Sequence, residues 1–109
     1  MSYSVIATRR FGIELKRLAN KFPSLKIEFA HLVEKIVANP QSGALLGNSC
    51  YKIRLAIGSK GKGKSGGARV ITYLLIESET VYLLTIYDKS EKADLKPNEL
   101  KEILQNLAL

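Results

Sequence analysis

Ten consecutive residues, Gly58-Ser59-Lys60-Gly61-Lys62-Gly63-Lys64-Ser65-Gly66-Gly67, are half glycine and carry three lysines. So much glycine loses too much backbone freedom in a helix or strand interior, so the stretch must be a loop. The runs on either side, from Tyr51 to Ile57 and from Ala68 to Ile76, are short and apolar. Tyr51, Ile53, Leu55 and Ile57 fall on one side of an extended chain, with Lys52, Arg54 and Ala56 on the other. The loop therefore joins two strands, and a packed sheet presents it to solvent.

A third strand is predicted from Val81 to Tyr87, after the polar turn Glu77-Ser78-Glu79-Thr80. Connections this short exclude parallel crossovers, so the three strands form an antiparallel meander. The first half of the chain has a different period. Tyr3 to Ala7 reads as a short strand, and Phe11, Leu15, Leu18, Ala19 and Phe22 recur at helical spacing. Phe22-Pro23-Ser24 breaks that helix, and Ser24 is placed to cap a second one with the stripe Leu25, Phe29, Leu32, Val33, Ile36 and Val37. Asn39-Pro40 ends it, and Gln41 to Cys50 reads as a loop. After the charged connector Asp88 to Asp94, the residues Leu100, Ile103, Leu104 and Leu107 form a last helix with Pro97 in its first turn. The order β-α-α-β-β-β-α is that of a small α+β domain, with helices expected on one sheet face and cations on the other.

The 109 residues suit a single domain, 1–109. No apolar run is long enough to cross a bilayer, and the first residues lack the basic-then-apolar order of a signal peptide. Cys50 is the one cysteine, so an internal disulfide and a thiolate metal cluster are excluded. A cytoplasmic protein is expected. The net charge of +7 is unevenly spread. Lys52, Arg54, Lys60, Lys62, Lys64 and Arg69 follow one another with no acid among them, whereas residues 70–109 are net negative. Positive charge concentrated beside glycines suits a polyanion, because backbone and ammonium groups can both approach phosphate.

Gly58-x-x-x-x-Gly63-Lys64-Ser65 matches the letters of a Walker A motif. That motif works only where a helix begins at the Lys-Ser pair and points its N-terminus at the phosphates. Here Gly66-Gly67 and the β-branched Val70, Ile71 and Thr72 follow, which start a strand. Nucleotide hydrolysis is therefore rejected.

Arg69 opens a strand beside the loop, where a guanidinium can grip phosphate with two parallel hydrogen bonds. Its alternative is an ion pair with Glu77, Glu79 or Asp88. Lys52 and Arg54 share a strand face, as a phosphate-binding pair or a plain solvated surface. Lys89 follows the third strand; a lysine among cations gives up its proton more readily, so it is a candidate acid or base, or a partner for Asp88 or Glu91. Tyr73 and Tyr87 could stack on a base or be buried in the sheet. His31, the one histidine, falls on the polar side of the second helix and is given no role. With no His pair, Cys or Ser triad, or metal constellation, RNA cleavage by this chain would rest on Lys, Arg and Tyr.

Lys52-Ile53-Arg54, the run Ser59 to Ile71, Tyr82-Leu83-Leu84-Thr85-Ile86-Tyr87-Asp88-Lys89 and Asp94-Leu95 together resemble the RelE/HigB-like toxins of bacterial type II toxin–antitoxin systems. The resemblance implies the RelE-like fold and a ribosome-dependent, metal-independent endoribonuclease that cuts mRNA and inhibits translation. It implies catalytic roles for Arg69 and Lys89 and a basic strand face, Lys52 and Arg54, that holds mRNA. The loop lysines Lys60, Lys62 and Lys64 can reach along a nucleic-acid backbone and are read as ribosome and message contacts, with Tyr73 and Tyr87 as stacking candidates beside them. The resemblance also implies a cognate antitoxin, expected to be a helix-turn-helix protein, and no cofactor. A tyrosine that some members carry near the last helix has no match; Leu95 lies near that place, and the general base stays unassigned. The alternatives are a ParE-like gyrase poison and a non-enzymatic nucleic-acid-binding module.

Overall fold

The computed structural model describes residues 3–61, 63 and 66–107. Its elements are β1 (Ser4–Ala7), α1 (Arg9–Lys21), α2 (Leu25–Ala38), β2 (Ala44–Gly47), β3 (Cys50–Leu55), β4 (Ala68–Leu75), β5 (Thr80–Asp88) and α3 (Glu99–Gln105). Single 3₁₀ turns occupy Gly58–Lys60 and Ile76–Ser78. The α+β class and the helical hairpin follow the sequence reading. The strands form one sheet in the order β1-β5-β4-β3-β2. The meander β3-β4-β5 is antiparallel, as connection length requires, but β1 pairs in parallel with β5, so the sheet is mixed.

β2 is the element the sequence conceals. Ala44-Leu45-Leu46-Gly47 is exposed throughout, so no alternation marks it as a strand. It exists because Asn48 and Ser49 take left-handed conformations (φ 53° and 61°) and fold the chain back on β3 in a hairpin. Ser24 also departs from expectation. It stands at the start of α2 without capping it, and its hydroxyl instead contacts Glu28 and Ser59. Pro97 lies two residues before α3 rather than in its first turn.

Each face of the sheet has its own core. Phe11 and Leu18 of α1 and Leu25, Leu32 and Ile36 of α2 pack on Ile53, Val70, Val81, Leu83 and Ile86. On the opposite face Cys50, Ile71, Leu84 and Tyr87 pack with Ile103 of α3. The expectation of helices on one face only is thus corrected. α3 turns its apolar stripe onto the second face, because Leu100, Ile103, Leu104 and Leu107 find partners there in strand residues of the opposite parity. What remains for the cations is the end of that face not covered by α3.

Candidate functional site

Register places the basic residues. Arg69 of β4 stands opposite Arg54 on β3 and Tyr87 on β5, so the three side chains form one row across the sheet. The next row is Lys52, Ile71 and Thr85. Alternation carries Lys52 and Arg54 to the second face, shared with Cys50 of the second core. The sequence-predicted Lys52, Arg54, Arg69 and Tyr87 therefore converge.

Arg69 is 3% exposed, and its guanidinium donates to the Ala68 carbonyl at 3.1 Å. Of the acids expected as its ion-pair alternatives, Glu77, Glu79 and Asp88, the last pairs with Lys60. Tyr87 is 5% exposed, with the Lys92 ammonium 5.5 Å from its ring centre. Its hydroxyl donates to Asp94 Oδ1 at 3.3 Å. Burial, reinforced by the Asp94 charge and hydrogen bond, pushes the phenol up to about 12, against the opposing charge of Arg69. Tyr87 thus stays protonated at neutral pH. Lys52 Nζ lies 3.4 Å from the same Asp94 oxygen. The Leu95 amide donates to it at 2.8 Å, and with the Lys52 charge this holds the Asp94 carboxyl below the usual range despite partial burial.

Gly67 sets how closely β3 and β4 approach beside Arg69. A Cβ on it would lie 2.1 Å from the Leu55 carbonyl oxygen, so no other residue fits without moving a strand. Its own carbonyl accepts from the Lys89 amide at 3.0 Å, which brings the start of the post-β5 segment alongside the start of β4. Lys89 is exposed there.

Two of the predicted contacts are placed elsewhere. Lys60 does not reach outward along the loop. Its ammonium pairs with Asp88 and contacts Ser90, lies 5.4 Å from the centre of the Phe22 ring, and is almost wholly covered. Asp88 needs that partner. Its burial would raise the carboxyl, but the Lys60 hydrogen bond and the Ser90 amide bring it below the usual range. Tyr73 stands four residues along β4 from Arg69, stacked on Tyr82 at 6.4 Å and packed in the second core. Its ring is half-buried there, four residues from the cationic row. Lys62 and Lys64 lie outside the described residues.

Asp94 and Lys92 gained no role from sequence, since Asp94 is 42 residues from Lys52 and nothing local marks the pairing. They belong to a connector fastened at intervals. Glu91 pairs with Arg17 at 2.9 Å and Lys21 at 3.5 Å, and Glu99 pairs with Arg10 at 2.9 Å and with Lys92. Among the described residues no group of His, Cys, Asp and Glu is arranged to hold a metal ion, and no helix is long and apolar enough to cross a membrane.

Comparison with known proteins agrees with this architecture. The mutant of E. coli toxin RelE carrying two arginine-to-alanine substitutions, in its free state, superimposes with a TM-score of 0.66 at 16% identity, covering 99% of this chain and 100% of that one. The isolated E. coli RelE toxin gives 0.61 at 18% identity, with 96% and 99% covered. The intact E. coli RelBE toxin–antitoxin complex gives 0.60 at 18%, with 79% and 95% covered. At these identities the structures share the fold. The family profile described as the RelE toxin of the RelE / RelB toxin–antitoxin system matches residues 14–108. An α+β sheet with one cationic row, matched over nearly its whole length by that profile, makes this chain a member of the RelE toxin family.

Proposed function

We propose that this protein is a ribosome-dependent endoribonuclease that cuts mRNA during translation, and that it acts in the cytoplasm without a metal. The observation that carries the reading is the row Arg54–Arg69–Tyr87, with Lys52 beside it on the same face. In such a reaction the ribose 2′-oxygen attacks the adjacent phosphorus and loses its proton, while the bond to the 5′-oxygen breaks and that oxygen gains one. The phosphorane formed on the way carries extra negative charge, which fixed cations stabilise. Arg69 serves this charge from a rigid strand, and Arg54 and Lys52 hold the flanking phosphates. Arg69 is nearly covered, so this reading requires neighbouring side chains to move before a phosphate reaches its guanidinium.

Tyr87 contributes as a neutral phenol, since it does not ionise near neutral pH and its one proton is donated to Asp94. Lys89, at the end of β5, is the candidate for moving a proton. Lys62 and Lys64 extend the phosphate-binding surface. Lys60, paired with Asp88, anchors the loop instead. An antitoxin partner is proposed from two relatives, the RelBE complex and the mutant RelE bound to a RelB peptide.

The test is a translation extract supplied with the purified protein. Cut mRNA that depends on ribosomes and is lost in Arg69→Ala, together with growth arrest on expression that the same change relieves, supports the reading. Undiminished cleavage by soluble, folded Arg69→Ala protein would overturn the assignment. Intact mRNA with inhibited gyrase supercoiling would replace it by the gyrase-poison reading.

A further inference from the structure

Lys52 belongs to β3 and Tyr87 to β5, with β4 between them. A single carboxylate nevertheless meets both, Asp94 lying 3.4 Å from the Lys52 ammonium and 3.3 Å from the Tyr87 hydroxyl. It therefore spans the second face of β4 at the level of Arg69 and Ile71. Its orientation is preset, because the Leu95 amide holds Oδ1 at 2.8 Å and the Leu95 side chain is packed in the second core. The surrounding connector is tied down on both sides, to α1 through Glu91 and through Glu99 to Arg10. A surface acid needs none of this support. The expected contribution of an isolated exposed ion pair to stability is small, so such a carboxylate matters chiefly for geometry.

We propose that Asp94 is a positioning residue, fastening Lys52 and Tyr87 to one another so that ammonium and phenol stay aligned with Arg54 and Arg69. The role rests on the nuclease reading for its consequence in catalysis, and on the geometry alone for its effect on Tyr87. With the carboxylate in place, the two side chains are held before RNA arrives and lose less freedom on reaching the transition state.

The experiment compares wild type with Asp94→Asn, Asp94→Glu and Glu91→Gln, following Tyr87 by NMR of ring-labelled tyrosine through a pH titration, and cleavage on programmed ribosomes. Asp94 is exposed, so thermal melting should be nearly unchanged in its variants. In Asp94→Asn the Tyr87 phenol should ionise at lower pH than in wild type. The cleavage rate at saturating ribosomes should fall about tenfold with little change in the half-saturating concentration, as expected for misplaced groups. Asp94→Glu should recover both, at least in part. Glu91→Gln loosens the same connector and should leave the phenol where it is. An unmoved phenol in Asp94→Asn, or equal loss of cleavage in Glu91→Gln, overturns the positioning role. If wild type itself cuts no mRNA, the nuclease reading falls, and the order of the Tyr87 ring and Lys52 side chain, compared by NMR between wild type and Asp94→Asn, still decides whether Asp94 positions the pair: unchanged order overturns the role.

Discussion

Lys60 and Asp88 close a buried ion pair that ties the first turn of the glycine-rich loop to the last residue of β5. Phe22, at the end of α1, covers the ammonium. Ser59 and Gly58 complete the attachment through Ser24 and Glu28 of the helical hairpin, the Gly58 amide donating to Glu28 at 2.7 Å. The loop thus leaves β3 as a docked segment over Gly58–Lys60.

The pair makes a stability prediction. Asp88→Ala strands a buried ammonium without its partner, which costs about 3–5 kcal/mol and should lower the melting temperature by more than ten degrees. Lys60→Met combined with Asp88→Leu removes both charges and should recover much of the loss. Thermal denaturation of the three proteins at pH 7 checks both expectations.

The three loop lysines should behave differently in binding. Changing Lys62 and Lys64 to glutamine should reduce the salt dependence of ribosome association by about one unit of slope per lost phosphate contact. Lys60→Gln should destabilise the fold and leave that slope nearly unchanged. Association measured over a range of salt, with melting curves alongside, separates the two effects.

Gly67→Ala should be among the most damaging small substitutions. The added methyl meets the Leu55 carbonyl at 2.1 Å and Ala56 Cα at 3.0 Å, so β3 and β4 must separate where Arg54 faces Arg69. A loss of about 3 kcal/mol or more is expected. Chemical denaturation of the purified variant reads it directly.

Acid should weaken the fold through Glu99. Its burial would raise the carboxyl, but hydrogen bonds from Lys92, the Lys96 amide and Arg10 outweigh that and lower it to about 2. A group depressed in the folded state stabilises at pH above its usual 4.5 and loses that contribution as pH falls toward 2. Glu99→Gln should be less stable than wild type at pH 7, with the difference closing near pH 2. A further part of the slope comes from buried Asp88, whose carboxyl Lys60 and the Ser90 amide depress. Denaturation midpoints between pH 2 and 7 test this.

Much of the architecture was legible because periodicity reports burial. Phe11, Leu18, Leu25 and Ile36 sit where helical spacing put them, and Ile53, Val70 and Ile86 where alternation did. β2 was not legible, since an exposed hairpin arm carries no such imprint. Nor was the covering of the second face by α3, because an amphipathic stripe does not say which side of a sheet it meets. At the site, alternation put Lys52 and Arg54 on one strand face, and strand register, which the sequence does not show, set Arg69 and Tyr87 beside them. The burial of Lys60 depends on Asp88, 28 residues away, and the place of Asp94 on Lys52, 42 residues away. Such pairings belong to the folded state and leave no local trace.

The parallel pairing of β1 with β5 bears on how the molecule is made. β5 occupies an interior position in the sheet, flanked by β1 and β4, yet it is the last strand to be synthesised. During translation Ser4–Ala7 waits without its partner while the helices and the meander emerge, and closure of the sheet rests on the longest-range strand pairing among the described residues. The row of Arg54, Arg69 and Tyr87 is finished in that same event, because Tyr87 arrives with β5. A growing chain therefore carries its cations without the surface that arranges them until β5 has emerged, and the assembled face comes into being with that strand.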